Sequence, residues 1–145
     1  MRKYCVGFMF SEDLSKVALI RKTKPAWQAG RLNGIGGKLE EGEDGMTAMR
    51  REFLEEAGVL SDWDYFLTLA SPAAKCDEDG GAWEVDFFFT IGELDQLRSM
   101  TTEEVEIHEV SSLGHRSDLM ENIEWTVPMA KESKRTKITG KVIYP

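Results

Sequence analysis

The sequence is poor in the features that staple, anchor or repeat a chain. It has only two cysteines, Cys5 and Cys76, enough for at most one bridge, and no Cys/His spacing of the metal-binding kind accompanies them. Free thiols are the expected state. No apolar run approaches the roughly 20 residues that a membrane helix needs. The apolar stretch from Tyr4 to Phe10 is shorter than most signal cores and lacks a small-residue cleavage site, so the cytoplasm is the expected compartment. Internal repeats, low-complexity tracts and linkers are missing too, which argues against solenoids and disordered arrays. Positive charge is in deficit. A formal net charge of -8 repels phosphate backbones at long range and makes broad nucleic-acid polymer or anionic-membrane binding unfavourable, while a small anionic ligand needs metal ions or local cations to offset the repulsion. The two histidines, His108 and His115, have no nucleophile-base pattern around them and read as structural or exposed.

What is present describes one domain spanning residues 1–145, a length at which folding hides roughly 70 per cent of the extended chain's surface. Strand-like segments at Tyr4 to Phe10 and Lys16 to Lys22 flank the polar Ser11-Glu12-Asp13 and suggest a hairpin. A glycine-punctuated stretch from Gly30 to Gly37 reads as a loop feeding a short strand, where small residues permit close approach of backbone to a ligand or a neighbouring strand. From Asp44 to Ala57 the apolar residues Met46, Met49, Phe53 and Ala57 recur at spacings of three and four, which predicts a helix stopped by Gly58. Strands are predicted at Tyr65 to Ala70 and Trp83 to Thr90, with a turn at Lys75 to Gly81 between them, and a short strand around Val105, Ile107 and Val110. A second helix is predicted within Asn122 to Ser133, with Pro128 in its first turn or bending it. The basic tail from Lys131 to Lys141 gives no clear period. Strands flanking helices in one α+β domain is the economical architecture.

The chemistry concentrates on the main helix. Glu52, Glu55 and Glu56 stand at steps of three and four and share one helical face. Alone, such a triplet is most often a solvated acidic face, and its mutual repulsion costs a few tenths of a kcal/mol per pair. A divalent cation reverses that penalty, and magnesium favours hard oxygen ligands together with waters and phosphate oxygens. The surrounding residues favour the second reading. Gly37-Lys38-Leu39-Glu40-Glu41-Gly42-Glu43, followed by Arg51-Glu52-Phe53-Leu54-Glu55-Glu56-Ala57-Gly58-Val59, resembles the Nudix box, G-x5-E-x7-R-E-U-x-E-E-x-G-U with U bulky and apolar, at every fixed position. Coincidence would produce this on the order of once in ten million such chains at average residue usage.

The resemblance implies an αβα sandwich with a mixed sheet and a loop-helix-loop motif, and a hydrolase that cleaves a phosphoanhydride bond. It implies Mg2+, with Mn2+ as a substitute, held by Glu52, Glu55, Glu56 and the Gly37 carbonyl, with Arg51 bracing the helix and Glu52 or Glu56 as general base. A later carboxylate often completes such sites; Glu104 is the first candidate in the run Glu103-Glu104-Val105-Glu106.

The segment Trp27 to Gly37 is similar to that of the MutT-type branch, whose members remove oxidised purine nucleoside triphosphates. This places base stacking on Trp27 and base-edge hydrogen bonding on Asn33, roles a flat ring and an amide suit. Glu121-Asn122-Ile123-Glu124-Trp125 is similar to the segment closing the base pocket there, with Glu121 and Asn122 standing where the family has paired aspartates, and Trp125 on its tryptophan. Trp83 joins these as a pocket-lining candidate, whereas Trp63 is assigned to packing. Arg21 and Lys38 are the first candidates for phosphate contact among Arg21, Lys22, Arg31 and Lys38.

The expected reaction is hydrolysis of a purine nucleoside triphosphate, 8-oxo-dGTP included, to monophosphate and pyrophosphate by a monomer or homodimer. Hydrolysis of another nucleoside diphosphate derivative, such as a dinucleoside polyphosphate or a nucleotide sugar, and a noncatalytic nucleotide-sensing module are the alternatives.

Overall fold

A computed structural model describes residues 1–72 and 81–144. The predicted turn at Lys75 to Gly81 falls almost entirely outside the described residues, as does Cys76.

The described residues form a mixed eight-stranded sheet. Its strands are β1 (Arg2–Phe10), β2 (Lys16–Arg21), β3 (Leu32–Asn33), β4 (Ile35–Lys38), β5 (Asp64–Ser71), β6 (Trp83–Ile91), β7 (Glu104–Glu109) and β8 (Gly140–Ile143), with helices α1 (Gly45–Ala57) and α2 (Ile123–Thr136). The main path runs β3-β2-β1-β6-β5-β8, with β4 added to β1 and β7 to β2. The β1–β2 hairpin is paired only at Met9 with Ala18 and Phe10 with Val17 before its strands diverge. The chain from Leu32 to Lys38 fills the opening, β3 pairing antiparallel with β2 and β4 with β1.

This wedge explains the glycines. A Cβ on Gly36 would lie 1.9 Å from the carbonyl oxygen of Cys5, and one on Gly34 would lie 2.3 Å from Val6 Cγ1. Neither distance is sterically allowed, so backbone stands where side chains would otherwise be.

The period of two along each strand sorts the core into two layers. Phe8, Phe10, Val17, Leu19, Phe87 and Phe89 face the side covered by Ile123, Val127 and Ala130 of α2. Cys5, Met9, Ala18, Ile20 and Phe88 face the side covered by Ala48, Met49, Phe53 and Ala57 of α1. Helix, sheet and helix form the expected αβα sandwich. Trp63 is buried edge-on to Phe53 at 4.8 Å, in the packing role assigned to it. Cys5 is likewise buried, which pushes its thiol up to about 12 and makes it inert at neutral pH.

Two elements differ from expectation. α2 extends to Thr136 and carries Pro128 in its interior, beyond the first turn. Proline removes one backbone donor there, but burial of Ile123, Val127 and Ala130 holds the helix across the gap. The basic tail divides into the end of α2 and β8, which pairs parallel with β5 at the sheet edge. No helix among the described residues is long and apolar enough to cross a membrane.

Candidate active site

α1 presents its acidic residues to the wedge. Asp44 caps its start by accepting the Thr47 amide at 2.8 Å, and Gly58, at φ 79°, makes the left-handed exit in which its amide returns to the Leu54 carbonyl. The sheet-facing Ala48, Met49, Phe53 and Ala57 lock the rotation of the helix, and Glu52 and Glu56 are thereby turned toward β4. A Cβ on Gly37 would sit 2.6 Å from Glu52 Oε1, so the bare main chain is what lets this carboxylate approach. Glu56 Oε2 accepts the Gly36 amide at 3.3 Å.

Arg51 organises the acids. Its Nε and Nη2 grip Glu43 at 2.7 and 2.9 Å, Nη1 donates to Glu52 at 2.9 Å and Glu55 at 3.3 Å, and Nη2 also reaches the Lys38 carbonyl at 3.2 Å. The grip of Arg51 holds Glu43 down to about 2. Burial acts the other way on the two inward carboxyls. It raises Glu52, against the pull of Arg51, and lifts Glu56 to about 7, with repulsion from Glu52 adding to the effect.

The expected convergence of three glutamates is only partly realised. Glu55 lies about 100° around the helix from Glu56 and turns outward, its side chain 56% exposed, to meet Arg51. Among the described residues, no three His, Cys, Asp or Glu side chains close around a point suited to a metal. The donor chemistry nevertheless fits a hard divalent cation. Two carboxylates whose anionic forms are disfavoured by burial and by neighbouring carboxylates stand against a bare glycine backbone, and a cation is the group that would relieve them.

Strand alternation corrects two expectations. Arg21 falls on the α2 side of the sheet with Val17 and Leu19, away from the acidic helix, and its guanidinium is engaged by Glu106 and Asp118. Lys22 falls on the α1 side. Glu104 lies opposite Arg21 in the β2–β7 register and is exposed, whereas Val105 packs toward α1. The residue two before Val105, Glu103, shares its side and is 5% exposed. Glu103 accepts from Lys22 Nζ at 2.9 Å and from the Thr23 and Lys24 amides at 2.6 and 3.4 Å, and its charge contributes to raising Glu56. Burial alone would raise Glu103, but these donors outweigh it and hold the carboxyl low.

The base-reading candidates are dispersed. Trp27 stands 54% exposed on a 3-10 turn (Ala26–Gln28), and Trp125 is 39% exposed on α2. Asn33 Oδ1 accepts the amide of Gly34 at 2.8 Å. Glu121 is exposed, and Asn122 at the start of α2 carries a buried Oδ1 with no hydrogen-bond partner. Trp83 packs against the α2-side core, its ring 5.9 Å from that of Tyr144. Lys38 is exposed beside the box.

The αβα sandwich thus sets an acidic helix, with a loop on either side of it, against a glycine-bearing strand. The chain belongs to the NUDIX domain family, whose pattern matches residues 1–128. Among solved structures it is similar to a MutT protein from Methanosarcina mazei Go1, with a TM-score of 0.69 and 15% identity over 94% of both chains. It is also similar to a MutT NUDIX hydrolase from Burkholderia pseudomallei (0.72, 17%, 88% of this chain and 96% of that one). The NUDIX domain of Shewanella oneidensis NrtR, complexed with ADP ribose, superposes with a TM-score of 0.75 at 14% identity over 91% of this chain and 87% of that one. The oxidized purine nucleoside triphosphate hydrolases of Mus musculus and Danio rerio are each 46% identical over 44 residues, 30% of this chain. The matched segment spans 28% of those relatives' length.

Proposed function

We propose that the chain hydrolyses a purine nucleoside triphosphate to the monophosphate and pyrophosphate with magnesium as cofactor, and that oxidised purines such as 8-oxo-dGTP are among its substrates. The half-buried Glu52 and Glu56 pair against Gly36 and Gly37 carries this reading. Glu52 and Glu56, with the Gly37 carbonyl and the outward Glu55, are the residues that would hold the cation, and Glu103 is the later carboxylate whose charge acts on Glu56. Bound magnesium supplies Lewis acidity to the phosphate oxygens and charge to offset their repulsion by an acidic protein.

Glu56 is the proposed general base, since its carboxylate stands inward against the Gly36 amide and a bound cation would keep it in the anionic form that accepts a proton. A water oxygen bonds to phosphorus beside the bridging α–β oxygen, the phosphoanhydride bond breaks, pyrophosphate or its conjugate fragment departs, and the water's proton passes to Glu56. Arg51 keeps Glu52 in place. Exposed Trp27 offers a stacking face, and the unpartnered Asn122 oxygen supports an acceptor role toward a base edge.

Purified protein with magnesium should release pyrophosphate and nucleoside monophosphate in equal amounts from canonical or oxidised purine triphosphates. Orthophosphate as the sole inorganic product would reject the proposed cleavage. Turnover confined to ADP-ribose, nucleotide sugars or dinucleoside polyphosphates would favour the diphosphate-derivative reading, which the ADP-ribose-bound neighbour supports. Binding without any product would define a sensing module, against which the intact glutamates argue. Within the leading reading, Trp27→Ala should raise KM for purine triphosphates about tenfold and leave kcat within about twofold, the size of one lost stacking contact. An unchanged KM would remove Trp27 from the site.

A further inference from the structure

Arg21 lies outside the acidic site, yet four of its donor interactions converge on three separate segments. Nε and Nη2 grip Glu106 of β7 at 2.7 and 2.8 Å, while Nη1 donates to Asp118 at 2.7 Å and to the Gly30 carbonyl at 3.1 Å. Arg116 grips the same Asp118 through Nε and Nη2 at 2.8 and 2.7 Å. His108 completes the network beside Glu106 at 2.9 Å. Two guanidinium groups and two carboxylates balance, so the cluster has no surplus positive charge for phosphate.

Its members instead join the two segments that carry the base-reading candidates. The first is the loop from Thr23 to Arg31, which bears Trp27 and leads into Asn33. Every residue in it is exposed except half-buried Gln28, so apolar burial does not fix its position. Polar ties do: the Gly30 amide to the Lys22 carbonyl, the Lys22 amide to the Arg31 carbonyl, and Arg21 to Gly30. The second is the segment leading to Glu121, Asn122 and Trp125. Asp118 holds its start through its backbone as well as its side chain, since its carbonyl accepts the Leu32 amide at 2.8 Å and the Met120 amide then donates to the Leu32 carbonyl at 2.9 Å.

We propose that the Arg21–Asp118 pair is a strut that sets the separation of these two segments, making Asp118 a positioning residue for nucleobase selection. The proposal rests on the base-reading roles given above. A surface ion pair of purely structural use would stabilise the fold and leave selectivity alone. A strut transmits displacement, and misplacement of a binding group by about 1 Å is enough to cost one or two orders of magnitude.

The test separates base binding from phosphate binding. Wild type and Asp118→Asn, which keeps the shape but loses the charge, are titrated calorimetrically with dGMP or dAMP and, separately, with pyrophosphate and magnesium. The variant should bind the monophosphate about tenfold more weakly and pyrophosphate within about twofold of wild type, and KM for the triphosphate should rise while kcat holds. Equal losses for both ligands, or no loss for either, would overturn the strut. If Asp118→Asn does not fold, Arg21→Lys, whose single ammonium cannot hold Glu106, Asp118 and the Gly30 carbonyl at once, should shift the same ratio in the same direction; an unchanged ratio there would also overturn it. A wild type that binds pyrophosphate but neither monophosphate would instead overturn the base-reading assignment, and the strut with it.

Discussion

Glu56→Gln should reduce turnover about a thousandfold while making the metal-free fold more stable above pH 7. The loss follows from removing the proposed proton acceptor and one cation-holding charge at nearly constant shape; a positioned base accounts for two to four orders of magnitude, hence roughly a thousand. The gain follows from linkage. Burial, with the repulsion of Glu52, raises the folded-state carboxyl from 4.5 to about 7. Well below pH 4.5 both folded and unfolded chains hold this proton, and the substitution changes little. As pH climbs from 4.5 toward about 7 the unfolded chain releases the proton while the folded chain retains it, so the native state loses stability across that window. Above it the penalty is complete, on the order of 2 to 3 kcal/mol, and glutamine abolishes it. Thermal melts in chelator should therefore nearly coincide at pH 4 and separate at pH 8, with the variant melting roughly 5 to 10 °C higher. Parallel melts at both values would show that Glu56 is not a buried charge. Near-normal turnover would remove its catalytic role.

The second large effect is expected at Arg51. Arg51→Gln should lower kcat about a hundredfold and depress the melting temperature, because one guanidinium holds Glu43, Glu52, Glu55 and the Lys38 carbonyl at once. Removing it leaves Glu52 partly buried without its counter-ion and releases the loop before α1. Arg51→Lys should rescue little, since a single ammonium cannot reproduce the bidentate grip on Glu43 and still reach Glu52. The pH dependence has the opposite sign to that at Glu56. Glu43 is held down to about 2 by Arg51, so this pair stabilises the fold above the ordinary carboxylate range and its contribution is lost as pH falls from about 4.5 toward 2. The variant should accordingly show a flatter acid limb in a melting-temperature titration. Activity of Arg51→Lys within about threefold of wild type would show that charge alone suffices.

Local chemistry made α1 legible before any coordinates. Met46, Met49, Phe53 and Ala57 declare its buried face, Asp44 and Gly58 mark its ends, and the box residues fall at fixed offsets from both. Partnerships across the sheet were less visible. That Glu103 rather than Glu104 turns toward Glu56 depends on the side to which Val105 packs, a distinction of one residue that only pairing with β2 decides. The side on which Arg21 lies depends on the same pairing. Its neighbour Lys22 faces the acidic helix, and the alternation was readable, but the face that α1 would cover was not. The link from Arg51 to Glu43 spans eight residues and a loop, out of reach of helical spacing, whereas Glu55 lies one turn on from Arg51. β8 had no signal at all, because Gly140 to Ile143 is too short and mixed to show a period, and its partner β5 lies some seventy residues earlier.

The splayed hairpin bears on how such a protein can diversify. Because the stretch from Leu32 to Lys38 is sewn to strands on both sides, residues can be gained or lost in the exposed loop ahead of it without shifting the place where bond cleavage would occur. Remodelling of the rim would thus leave the anvil beneath unmoved.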